Sequence, residues 1–291
     1  MAGITREYKD RLFKFIFGKE ENKAWTLSLY NALNGPGSNH TDVASIRFNT
    51  IENVIYMGMK NDVSFLVSGT MNFLEQQSTY NPNMPMRFFL YSAMAYRKYI
   101  HDEGEDDAIY GSSFLKFPSP RCICFYNGND EIEDNTVLKL SDAFGGKSDI
   151  EVNVTLLNIN YGRNRELLDR CKPLKEYSWF TTTVMRKQKD GIELEKAIDE
   201  TLDEMPDDFV IKKFLIANKA EVRSMCLTEF NEEKFKARER AEGRAEGKAE
   251  GRLDMLVNLV RKGLLSEDNA AAEAKMTVDE FRKQMSQLSV S

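Results

Sequence analysis

The chain has only two histidines, His40 and His101, both in polar surroundings. That scarcity removes Ser-His-Asp and Cys-His-Asn catalysis and the HExxH metalloprotease arrangement. Its four cysteines, Cys122, Cys124, Cys171 and Cys226, have neither zinc-ligand spacing nor the density of a disulfide scaffold. Cys122 and Cys124 alternate along an expected strand and read as small buried hydrophobes. No glycine pattern follows a strand in the manner of a phosphate-binding or dinucleotide-binding loop. No run of about 18 apolar residues occurs, so no membrane span is expected. The first ten residues hold no apolar segment of the signal-peptide kind, and a cytoplasmic protein is expected. Any catalysis must therefore come from carboxylates, amides and lysines.

What is present suffices for a large core. The 291 residues are 42% hydrophobic and 11% aromatic, enough for one large domain with an appendage or for two modest ones. The net charge of −6 gives no global signal for nucleic acid, but such a footprint is local and an acidic total does not exclude it.

The informative stretch is Lys60–Gln77. Residues 60–67 and 70–77 are rich in Val, Phe, Leu and Thr and are split by Ser68-Gly69, which predicts a hairpin. A two-residue loop fixes the register. Val67 then faces Thr70, Asp62 faces Glu75 and Lys60 faces Gln77. Directly opposed side chains share one face, with Cβ atoms about 4.5–5.5 Å apart. Two opposed carboxylates repel unless a cation sits between them, and a hard divalent metal suits an all-oxygen patch. The plainer alternative is that Lys60 neutralises both acids on an ordinary surface hairpin.

Helices are expected at 6–17, closed by Gly18, and at 20–33, where Trp25, Leu29 and Leu33 form an apolar stripe. One or two strands are expected within 43–57. A loop with two prolines follows Gln77, and then a helix over 86–100. Arg87 falls in that helix's first turn, where a cation opposes the dipole. It is either a surface arginine or the neighbour of an anion. Strands are expected at 121–126 and 151–159, and helices at 163–186, 192–203 and 207–230. The tight hairpin means that the sheet is mixed, in an α/β domain.

From Arg238 the motif Ala-Glu-Gly-Arg/Lys repeats with a period of four. Glycine costs about 1 kcal/mol of helix each, so this is a solvated, partly helical linker or a helix held by close packing. A small helical module follows, with Thr277-Val-Asp-Glu280 as a capping box. Its exposed acids, Glu267, Asp268 and Glu273, suit self-association better than phosphate contact. The expected organisation is a core at 1–162, a helical extension packed on it at 163–237, a linker at 238–252 and the tail module at 253–291.

The order helix, strand, Asp-bearing strand, Glu-x-Gln strand, helix, strand resembles the PD-(D/E)XK nuclease core. Phe13-Lys-Phe-Ile-Phe-Gly18, Asp62, Glu75-Gln-Gln77 and Ser78–Arg87 are similar to the Rpn family of recombination-promoting nucleases and putative transposases. Phe125-Tyr-Asn-Gly128, Leu140-Ser-Asp-Ala-Phe144 and Asn158–Asn164 add to the likeness, which spans essentially residues 5–230 and, more loosely, the tail. The resemblance implies a Mg2+-dependent DNA endonuclease, with Mn2+ as a possible substitute and Asp62 and Glu75 as metal ligands. Gln77 stands where the wider superfamily has lysine, and a neutral amide cannot offset developing negative charge. Lys60, opposite Gln77, is the expected source of that charge. Asp10 is the favoured third acid, ahead of Glu20 and Glu21, and Arg87 is an expected phosphate contact. The competing expectation is a weak or inactive nuclease-derived module that binds nucleic acid or protein and oligomerises through its tail.

Overall fold

The computed structural model describes residues 8–48, 62–225, 255–274 and 276–287. Lys60, the Ala-Glu-Gly repeat at 238–252 and most of the strand region at 43–57 lie outside these residues. The chain divides into two compact units, Met1–Glu229 and Phe230–Ser291.

In the first unit, helices α1 (Tyr8–Phe17) and α2 (Lys23–Leu33) precede the sheet. The turn that opens the second expected helix, Glu20–Asn22, is 3-10 rather than α-helical. Six strands follow: β1 (Arg47–Phe48), β2 (Val63–Val67), β3 (Thr70–Gln77), β4 (Ser119–Tyr126), β5 (Asn135–Lys139) and β6 (Asn153–Asn158). They lie in the order β1-β2-β3-β4-β6-β5, with β3, β4 and β6 mutually parallel and the other pairings antiparallel. Helix α3 (Met84–Asp102) connects β3 to its parallel neighbour β4. The helices α4 (Arg165–Arg170), α5 (Lys172–Lys189), α6 (Leu194–Glu204) and α7 (Lys212–Ala217) follow, with helical residues 219–225 after a turn at Asn218 that breaks the helix expected over 207–230. The architecture is a mixed six-stranded sheet flanked by helices.

Two differences from the sequence expectation have clear causes. The expected helix at 163–186 is broken at Cys171, because Pro173 sits in the first turn of α5 and cannot continue a preceding helix. Strand β5 was not expected. It is an edge strand in which only Leu138 is buried, so it has almost no apolar alternation to read.

The sheet has a core on each face. Leu74, Ile123 and Phe125 join Phe13, Phe17, Leu29, Tyr177 and Phe180 on one side. Phe73, Cys124 and Tyr126 join Phe88, Tyr91 and Ala95 of α3 on the other. Neighbouring residues on β3 therefore serve opposite faces, as the two-residue period of a strand requires. At the end of β3, Glu75 and Gln77 turn toward α3, and Gln76 turns toward α1 and α5.

The second unit contains helical residues 255–261 and the helices Glu267–Ala274 and Val278–Gln287. Leu256, Val257, Ala270, Ala271 and Phe281 form its small core. The capping box is present: Glu280 Oε2 accepts from Thr277 N at 2.8 Å, and Glu280 N donates to Thr277 Oγ1 at 3.3 Å. No helix among the described residues is long and apolar enough to cross a membrane.

Candidate functional site

The β2–β3 turn is two residues long, with Ser68 at φ 47° and Gly69 at φ 72°. Left-handed conformations at both positions are those of the hairpin turn that matches strand twist, and glycine adopts one of them without strain. The register runs from Val67↔Thr70 to Val63↔Leu74. The next step brings Asp62 opposite Glu75.

Asp62 is half-buried, and its Oδ2 accepts a hydrogen bond from Gln76 N at 2.7 Å. Burial pushes its carboxyl up to about 7, although the Gln76 amide and the charges of Arg87 and Lys14 work the other way. Glu75 is buried, and its Oε1 accepts from Arg87 Nη2 and from Gln77 Nε2, the latter at 3.1 Å. Burial and then the charge of Asp62 push the Glu75 carboxyl up to about 8, against the pull of Arg87, Gln77 and Tyr91. Its second oxygen, Oε2, is buried with no hydrogen-bond partner among the described residues.

Arg87 lies in the first turn of α3, and the anion beside it is Glu75. Its Nε and Nη2 also donate to Tyr91 Oη, at 3.1 and 2.9 Å. Tyr91 is one helical turn further on and fully buried. Sequence reasoning missed it. The available signal was its i, i+4 spacing from Arg87, which places two side chains of one helix within reach. Cys124 pairs with Glu75 across β3 and β4 and is fully buried. Burial raises its thiol well above the usual value, and the charges of Glu75, Asp62 and Asp10 add to that effect.

The remaining expected site residues are placed less centrally. Asp10 is half-buried on α1, and its charge is felt at Cys124. Among the described residues no three His, Cys, Asp or Glu side chains are grouped so as to hold a metal, so Asp10 is not gathered with Asp62 and Glu75 into such a group. Glu20 and Glu21 are exposed at the turn before α2 and pair with Lys23 and Lys19. Lys60 lies outside the described residues, and the cation seen against the acids is Arg87.

Gln76 belongs to a different cluster. Its Nε2 donates to Asn127 Oδ1 at 2.6 Å, and Lys9 Nζ donates to Asn127 O at 2.8 Å and reaches Met185 Sδ at 3.0 Å. Tyr177 Oη donates to Lys9 O at 2.9 Å. All of Lys9, Gln76, Asn127 and Tyr177 are buried. They tie α1, the ends of β3 and β4, and α5 together. Gly128 follows directly, where a side chain would collide with Ser78 O and the Tyr126 ring.

The site thus brings together the carboxyls of Asp62 and Glu75, with the Arg87 guanidinium and the Gln77 amide N–H both donating to Glu75 Oε1. Burial is the main cause of both raised carboxyls, and at Glu75 the charge of Asp62 adds to it. Hard divalent ions take oxygen donors, and Mg2+ is commonly held by one or two carboxylates with water completing its shell. The pair and the unengaged Glu75 Oε2 fit such an ion. Compared with known proteins, the chain gives no significant match to any family model, curated protein or solved structure.

Proposed function

We propose that the first unit is a divalent-metal-dependent DNA endonuclease with a PD-(D/E)XK-like core of the Rpn, recombination-promoting and transposase-like type. The observation that carries this reading is the convergence of Asp62 and Glu75, from adjoining strand positions, on a spot where burial raises both carboxyls and each bears on the other's charge. Asp62 and Glu75 would hold Mg2+, or Mn2+ in its place. A hard divalent ion held there supplies Lewis acidity, polarising a phosphoryl oxygen and making nearby water more acidic.

The chain's own residues then have distinct tasks. Gln77 orients the Glu75 carboxylate by donating to Oε1. Arg87 supplies a guanidinium, whose planar fork suits a phosphate oxygen pair. Lys60 is assigned the charge that Gln77 cannot provide, with Lys14, whose charge is already felt at Asp62, on the exposed side of α1. Asp10 is assigned an outer role beside Cys124. The tail is assigned to self-association, which light scattering of the full chain tests, and the setting to the cytoplasm.

The test is nicking of supercoiled plasmid with Mg2+ or with chelator. Wild type is expected to cut only with the metal, and Asp62→Ala and Glu75→Ala to be inactive while keeping their circular dichroism. Equal cutting by wild type and Asp62→Ala would remove these residues from the chemistry. One observation favours the second reading, a nuclease-derived binding module without turnover: Arg87 already pairs with Glu75. Calorimetry separates the two, because a binding module of that kind takes up neither Mg2+ nor Mn2+.

A further inference from the structure

Arg87 is held in a way that a surface phosphate contact does not require. Its Nη2 touches both Glu75 Oε1 and, at 2.9 Å, Tyr91 Oη, while Nε reaches the same hydroxyl at 3.1 Å. Among the described residues Nη1 meets only a weak acceptor, Met84 Sδ, at 3.6 Å. The side chain is 30% exposed, whereas that of Glu75 is 2% exposed. The guanidinium is therefore anchored on its buried side by a phenol and a carboxylate, and it is open on the other.

Glu75 Oε1 is fully engaged, because Arg87 and Gln77 both donate to it and a carboxylate oxygen has two lone pairs. Oε2 has no hydrogen-bond partner among the described residues. A divalent ion entering at Oε2 meets a carboxylate that the guanidinium already neutralises through Oε1. Two cations packed against one buried carboxylate repel each other. A phosphate offers the guanidinium a bidentate partner in exchange for Tyr91 and Glu75.

Resting on the nuclease reading above, we propose that Arg87 is the resident counter-ion of Glu75, positioned there by Tyr91, and that a DNA phosphate drawing the guanidinium away opens the carboxylates to the metal. Metal and DNA then bind cooperatively, and the site stays closed to free cations until a backbone arrives. Tyr91 also acts on Glu75 directly, but toward a phosphate it acts through Arg87 and is a positioning residue. Binding linkage is reciprocal, so metal tightens DNA by the factor that DNA tightens metal.

Calorimetric titration of Mn2+ into the full chain, with and without a short DNA duplex, tests this. Wild type is expected to bind Mn2+ at least about fivefold more tightly with duplex present, the lower end of ordinary coupling. Arg87→Gln is expected to bind Mn2+ more tightly than wild type without DNA and to gain nothing from the duplex. Arg87→Lys keeps the charge but loses the fork to Tyr91. It is expected to lose most of the coupling, and Tyr91→Phe, which preserves the buried ring, to lose part of it. Tight Mn2+ binding by wild type that ignores the duplex overturns the proposal and leaves the nuclease reading standing. So does coupling that is undiminished in both Arg87→Lys and Tyr91→Phe. Absence of Mn2+ binding in wild type and in Arg87→Gln, with and without DNA, overturns the nuclease reading and this inference together.

Discussion

Glu75 and Gln76 are adjacent on β3, both buried, and they look into opposite worlds. On the Gln76 side, Asn127, Lys9 and Tyr177 exchange hydrogen bonds across three elements and fasten the sheet to α1 and α5. On the Glu75 side, two acids lie against one arginine. Each side leaves one buried oxygen without a partner among the described residues, Gln76 Oε1 on one and Glu75 Oε2 on the other, so the difference lies in charge. The first cluster spends its polar groups on holding the fold. The second buries two carboxyls whose ionised forms the fold disfavours. The lesson is that burial of polar residues does not mark a functional site by itself. An unbalanced charge, kept close to solvent by a partly exposed arginine, does so better.

The sharpest way to break this contrast is to neutralise each face in turn. Asp62→Asn and Glu75→Gln are expected to abolish Mg2+-dependent plasmid nicking, while Asn127→Ala at reduced temperature retains it. Loss of nicking in Asn127→Ala, measured on protein that is still folded, would erase the distinction.

Stability should move in the opposite sense. Asn127→Ala strands the buried Gln76 amide and is expected to cost about 1–3 kcal/mol in denaturant unfolding. Glu75→Gln removes a buried charge and is expected to leave stability unchanged or raised at pH 8.

The pH dependence sharpens the same point. The folded-state values near 7 for Asp62 and 8 for Glu75 lie above the ordinary 3.8 and 4.5. Below about pH 4 both folded and unfolded chains carry these protons, and the pair contributes nothing. Between about pH 4 and 8 the unfolded chain releases them and the folded chain keeps them. Stability therefore falls as pH rises through this window, and the penalty is complete above it. Thermal unfolding in chelator from pH 5 to 9 should show this fall in wild type and a flatter profile in Asp62→Asn/Glu75→Gln. A parallel profile in the double variant would mean that other groups set the slope. The smallest effect belongs to the second unit: Thr277→Ala removes one side of the capping box and should cost about 1 kcal/mol of that unit's helix stability, read by its melting.

Much of the site was legible because its geometry is local. Ser68-Gly69 enforces a two-residue turn, and the turn enforces the opposition of Asp62 and Glu75. The apolar stripes of α1 and α2, the helix carrying Arg87 and the strand at 121–126 were legible from periodicity. The parts that escaped depend on distant contacts. Lys9 reads as a solvated helix residue, and only the docking of α1 against Asn127 and Met185 buries it. Tyr91 reads as one more aromatic on an apolar face until α3 is laid on the sheet. Strand β5 is recognised by its partner β6 more than by its own composition.

The short connection from β3 to α3, six residues from Ser78 to Asn83, has a last consequence. Asp62, Glu75, Gln77, Arg87 and Tyr91 all fall within thirty consecutive residues, Asp62–Tyr91, whereas the opposite cluster draws on positions as far apart as 9 and 185. This grouping of side chains is thus built from one contiguous stretch of chain. The rest of the first unit supplies the surface that this stretch packs against, through α1, β4 and α5.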